Sequence, residues 1–137
     1  MDRLETIDVT YSDHEAAVKA GEIERGWMPT YIPTSAKEIR TRHNIDTNNL
    51  WWSFYYDPKD YDFMDKSCKK AEKNDLLFTR KRQAFDWWPE ELIDGSSEFL
   101  DNEQSYNYYT CDKTANLAVD TTKSKAYLWD FRIREWE

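Results

Sequence analysis

Glycine is scarce in this chain, three in 137 residues, and Gly21, Gly26 and Gly95 form neither a GxGxxG nor a GxxxxGK pattern. Without clustered glycines the backbone does not close around a phosphate, which leaves nucleotide binding without support. His14, His43, Cys68 and Cys111 are the only histidines and cysteines. A zinc site wants about four such ligands at characteristic spacings, so no metal and no cofactor is expected. Asp57, Asp60, Asp62 and Asp65 suggest calcium, but no glycine permits the tight loop turn, and the pattern reads as a solvated helix start. No stretch approaches the roughly 18 apolar residues of a membrane span. The opening residues carry Asp2, Arg3, Glu5 and Asp8, unlike a signal peptide. These absences favour a cytoplasmic protein in which Cys68 and Cys111 stay separate buried or half-buried thiols, over a disulfide.

Aromatic residues are plentiful, with seven Trp, nine Tyr and six Phe. Each buries roughly 150 to 250 Å², so a few of them replace many aliphatic side chains in the core of one domain spanning residues 1–137. The net charge of −8 is unevenly placed. Residues 1–83 hold 15 acidic and 14 basic side chains, net −1, whereas residues 84–137 hold 12 and 5, net −7. Such a field repels phosphate backbones and membrane phosphates and attracts basic proteins. No nucleic-acid or membrane partner is expected, and the oligomeric state is left open.

Ile7, Val9 and Tyr11 alternate with polar residues, the period of a half-buried strand. Ser12 and Glu15 have the spacing of a helix start, with Gly21 as the stop after Ala20. Ser35 and Glu38 repeat that spacing, and Ala36, Ile39 and His43 would share one face of a second helix ending near His43. Asn44 to Asn49 reads as a turn. In Leu50 to Tyr56 both faces are largely aromatic, which predicts a central strand covered on both sides. Met64, Cys68 and Ala71 recur at helical spacing. Leu76 to Thr79 could form a strand, and Trp87 to Ile93 a short helix with Pro89 in its first turn. Residues 105–111, 116–120 and 125–132 read as a strand meander with a turn over 121–124. The expected class is α+β, a mostly antiparallel sheet with two to four short helices packed on one face.

Two groups are candidates for function. Asp86, Trp87, Trp88, Glu90, Glu91, Asp94, Glu98, Asp101 and Glu103 lie in a stretch without Lys or Arg, aromatic anchors among carboxylates that would suit a basic protein surface. Trp27, Tyr31, His43, Asp46 and Trp51 could instead frame a small-molecule cleft, and His43 with Asp46 could orient an imidazole for catalysis. A soluble acidic face and a structural histidine are the plainer alternatives.

The segments Gly26-Trp27-Met28-Pro29, Ile32-Pro33-Thr34-Ser35-Ala36-Lys37-Glu38-Ile39 and His43-Asn44-Ile45-Asp46-Thr47-Asn48 resemble a family of small uncharacterised bacterial proteins, many of them lipoprotein-like. The resemblance covers about residues 11–56 and more loosely the late meander. It implies no activity and no catalytic residues. Size, charge and the missing catalytic motifs together lead to the expectation of a non-enzymatic bacterial immunity or inhibitor protein. Its acidic surface would block a basic toxin domain, a nuclease among the possibilities. A small-molecule-binding or structural module is the alternative, and an enzyme using His43 and Asp46 the third.

Overall fold

The computed structural model describes residues 6–44, 47, 49–80, 83–94, 96, 106–112 and 114–131. Alternation at the start of the chain does produce a strand, β1 (Thr6–Asp13). Asp13 then caps a short helix, α1 (His14–Lys19), by accepting from the Ala16 amide. Gly21 follows at φ 89°, a backbone shape that glycine adopts without strain.

The second helix expected near Ala36 to His43 is instead a strand, β2 (Lys37–Asn44). Ser35 does not cap a helix: its hydroxyl donates to the Asp60 carboxylate at 2.6 Å and accepts from the Asp57 amide at 3.0 Å. Ile39, Thr41 and His43 point inward at period two, and Glu38 sits at φ 50° beside an irregularity in pairing. The Asn44 side chain closes the turn by accepting from the Thr47 amide, and β3 (Leu50–Tyr55) returns antiparallel to β2.

No amphipathic helix forms after Tyr61. Phe63, Asp65 and Ser67 each donate to the carbonyl three residues earlier, a string of turns that ends in β4 (Cys68–Ala71). Thr79–Arg80 (β5) and Ile93–Asp94 (β6) form a two-residue parallel pair. Only a 3-10 turn, Glu90–Leu92, stands where the helix over Trp87 to Ile93 was expected. The meander is present as β7 (Asn107–Cys111), β8 (Ala115–Asp120) and β9 (Lys125–Asp130).

The main sheet has seven antiparallel strands in the order β1-β2-β3-β9-β8-β7-β4. Among the described residues α1 is the one α-helix, so the α+β expectation is corrected to a mostly antiparallel β fold. Helix-like spacing misled because three-residue turns and bulged strands reproduce short stretches of it, and tertiary pairing overrides local propensity.

Three adjacent strands carry the core. Leu50 to Phe54, Ala115 to Val119 and Ala126 to Asp130 are buried without a break, which requires cover on both faces. On one face Leu50, Trp52, Phe54, Leu117, Val119 and Leu128 pack beneath Ala17, Met28, Ile32, Ala36 and Met64. On the other, Trp51, Tyr108, Tyr127 and Trp129 pack beneath Leu76, Trp88, Leu92 and Ile93. Trp51 and Trp52 are therefore both core residues, on opposite sides of β3.

Cys68 and Cys111 are disulfide-bonded, contrary to the expectation of separate thiols. They stand directly opposite each other in the β4–β7 register with Cα atoms 4.1 Å apart. Directly opposed antiparallel residues come this close in non-hydrogen-bonded pairs. Once Cys68 belongs to a strand rather than a helix, the register brings the two sulfurs together.

Candidate functional site

Residues 84–94 run along the outside of the second face. Trp88 wedges into the sheet, edge-on to Tyr127 and Trp129 with centroid distances of 5.5 and 5.7 Å, and is 2% exposed. It is a core residue rather than an exposed anchor. Trp87, its neighbour, is half-buried and meets Phe85 edge-on at 4.9 Å. Asp86, Glu90 and Asp94 are exposed and Glu91 is half-buried. Glu98, Asp101 and Glu103 lie outside the described residues.

Three recesses follow this segment. One of about 560 Å³ is lined by Pro89, Glu90, Glu91, Tyr106, Asp120, Lys123 and Tyr127. A second, about 350 Å³, is lined by Ala84, Phe85, Asp86, Trp88, Glu90, Ile93 and Ser96. The third, about 310 Å³, lies between Asp86 and Trp87 on one side and Asp8, Val9, Thr10, Arg40 and Thr41 on the other. Glu90 borders the first two and Asp86 the last two, so the recesses form a continuous trail.

The largest recess brings carboxylates and phenols together. Tyr106 donates to Glu91 at 3.3 Å, and burial followed by the Glu91 charge drives its phenol far above the usual range. Burial, then Tyr55, Glu91 and Asp120, pushes Tyr127 up to about 12. Both phenols therefore remain neutral donors at any physiological pH. Asp120 is held by the hairpin turn, accepting from the Thr122 and Lys123 amides. Lys125 lies over the rings of Tyr55 and Tyr127 at 4.8 and 5.2 Å, an intramolecular cation–π contact at the edge of the recess.

At the far end Arg42 pairs with Asp8 at 3.1 Å and lies over the Phe85 ring at 4.4 Å. Sequence reasoning did not bring Asp120, Lys123, Tyr127, Asp8 or Arg40 to this surface. Its only available signal for Asp120 was the hairpin turn, which says nothing of what stands beside it.

The residues of the alternative cleft divide between the two faces of the sheet. Trp27 and His43 meet on the first face with ring centroids 3.8 Å apart and planes tilted by 43°, His43 being 6% exposed, while Trp51 belongs to the opposite face at 5%. Tyr31 is half-buried against the first core, and Asp46 lies outside the described residues. His43 is buried against the Trp27 indole. Among the described residues no three His, Cys, Asp or Glu side chains gather to hold a metal. Nor, among them, is any helix long and apolar enough to cross a membrane.

Residues 5–55 match the family model described as the YbbD head domain. The match runs from β1 through β3, overlaps the segment that resembles a small bacterial family, and includes the Trp27–His43 contact. No curated protein and no solved structure matched the chain. Of the residues lining the acidic trail only Asp8, Val9, Thr10, Arg40 and Thr41 fall inside the matched segment.

Proposed function

We propose that this chain is a non-catalytic protein-binding domain that takes a basic partner along the trail from Asp8 to Lys123. In its most specific form it is a bacterial immunity or inhibitor protein that blocks a basic toxin domain. The carboxylates would then occupy the place of the toxin's anionic substrate, as they would for a nuclease. What carries this reading is the continuity of the recesses past Asp86, Glu90 and Glu91 with aromatic rings in their walls. Long cationic side chains fit such recesses, their stems on the rings and their heads at the carboxylates. The net charge of −8 also accelerates encounter with a basic protein.

The Cys68–Cys111 bridge and the lipoprotein-like resemblance favour an oxidising compartment over the reducing cytoplasm. A toxin domain met outside the cytoplasm is the partner class that suits both observations.

The test is cross-linking in the source cells followed by mass spectrometry, with the captured partner then titrated against the purified chain. A basic protein should bind, weaken steeply as salt rises, and lose at least about tenfold in affinity to Glu90→Lys with Glu91→Lys. Binding unchanged in that variant, or a partner that is itself acidic, would overturn the reading.

A further inference from the structure

We propose that β1 is a self-pairing edge, and that two copies of this chain join their sheets through antiparallel β1–β1 pairing about a two-fold axis at Val9.

The two ends of the seven-stranded sheet differ in a telling way. At one end β4 has four residues, two of them the exposed Lys69 and Lys70, and is tied to β7 by the disulfide. Short length and lysines are the usual protections against edge-to-edge pairing. At the other end β1 has eight residues, Thr6 to Asp13, and contains no Lys, Arg or Pro. Its pairing with β2 runs in unbroken register from Thr6 to Tyr11, so no bulge turns the edge away. Among the described residues no strand pairs with its outer side.

The sequence of β1 names the occupant. A two-fold axis perpendicular to the sheet keeps each face continuous, so a residue must oppose one of the same parity. Centring the axis on Val9 places Val9 opposite Val9, Ile7 opposite Tyr11, Asp8 opposite Thr10 and Thr6 opposite Ser12. Ile7, Val9 and Tyr11 share the face of Ile39, Thr41 and His43, as the β1–β2 register requires. Ile7 is 37% exposed, and Val9 and Tyr11 are half-buried, so apolar surface remains to be covered there. Aromatic and β-branched residues directly opposite each other are favourable cross-strand pairs. On the other face each Asp8 meets a threonine hydroxyl and no like charges oppose. Centring on Asp8 would set the two carboxylates against each other, and centring on Thr10 would set Ile7 against Asp13. Centring on Tyr11 would set Val9 against Asp13 and centring on Ile7 would pair only Thr6 to Asp8, so the Val9 register joins the longest compatible stretch of β1, and a self-complementary strand needs no second partner.

Each chain carries −8, so repulsion opposes the dimer and added salt should strengthen it. The pairing shares Asp8, Val9 and Thr10 with the third recess but uses none of Glu90, Glu91 or Asp120, so Glu90→Lys with Glu91→Lys tests the basic-partner reading and leaves the dimer contact in place.

Sedimentation equilibrium of the full chain over rising concentration should show the mass climbing from 16.5 kDa toward twice that value, more readily at high salt. Val9→Lys should reduce association by at least about tenfold at low salt with the circular dichroism spectrum unchanged. Because the native cysteines are bonded to each other, Val9→Cys introduces one free thiol. Mild oxidation should link it to its counterpart, whereas Thr6→Cys, which opposes Ser12, should cross-link far less. A mass fixed at the monomer across concentration and salt, or equal cross-linking by both cysteine variants, would overturn the proposal.

Discussion

The two faces of the sheet are covered by different chemistry, and the difference shows where a surface can do work. The first face is roofed by α1, the loop carrying Met28, Ile32 and Ala36, and Met64, and its core is largely aliphatic. Flexible and small apolar side chains fill space closely. The second face is roofed by indoles and phenols that meet edge-on, Trp88 on Trp129 and Tyr127, Phe85 on Trp87, Tyr106 on Tyr127. Rigid rings in that arrangement leave gaps at their margins and bring polar atoms with them. The three recesses that make up the acidic trail follow this roof.

The strongest way to break the contrast is to delete a large side chain from each core. Phe54→Ala on the first face and Trp129→Ala on the second remove fully buried rings, and each should cost about 3 to 5 kcal/mol in urea unfolding. The Trp129 variant also loses the 2.6 Å bond from its indole to the Leu77 carbonyl, but Leu77 is exposed and water can replace that partner. The two costs should therefore remain similar. A much smaller cost for Trp129 would mean that the second face is loosely packed.

Opening the disulfide comes next. Cys68→Ser with Cys111→Ser should lower stability by about 2 to 4 kcal/mol, read by urea unfolding beside the oxidised parent. The loss should release β4 first, seen as faster amide exchange in Lys69 and Lys70 than in β3. Uniform exchange would deny β4 its place at a dependent edge.

Trp87 and Trp88, adjacent in the chain, sharpen the comparison. Trp88→Ala should destabilise by about 3 to 5 kcal/mol, as for any buried indole. Trp87→Ala should cost about 1 kcal/mol or less in folding yet at least about 2 kcal/mol in binding the basic partner proposed above. Equal folding costs would place both indoles in the core.

The smallest effect is the alkaline limb of the stability curve. Tyr127 on the second face and Tyr11 on the first are both held up to about 12, chiefly by burial. Tyr11 also donates to the buried Glu22 carboxylate. A raised phenol contributes stability that is complete below the unfolded value near 10 and is lost as pH rises through about 12. Tyrosine absorbance at 295 nm should therefore rise late, together with unfolding. Phe in place of Tyr127 should flatten the dependence between those two values.

Much of the sheet was readable from residue order. β1, β3 and the β7–β8–β9 meander follow from alternation and from hairpin turns, and the two-sided aromatic pattern of Leu50 to Tyr56 correctly required cover on both faces. The β2 and β4 segments were misread because Ser35 satisfies Asp57 and Asp60, not a helix start, and because turns over residues 61–67 mimic helical spacing. Within the candidate site Asp86, Glu90 and Glu91 were readable as an acidic run. Trp88 was misplaced because adjacency to an exposed acid does not tell which way an indole turns.

Composition and period alone determined that this chain folds around aromatic β-strands and that its negative charge gathers in the second half. Those properties belong to single residues and their near neighbours. Only the tertiary structure decided that Cys68 meets Cys111, that Asp120 and Tyr127 stand beside Glu91, and that β1 is left at an edge. Each of these depends on strand order, which is set by the packing of both faces at once and by no local stretch of chain.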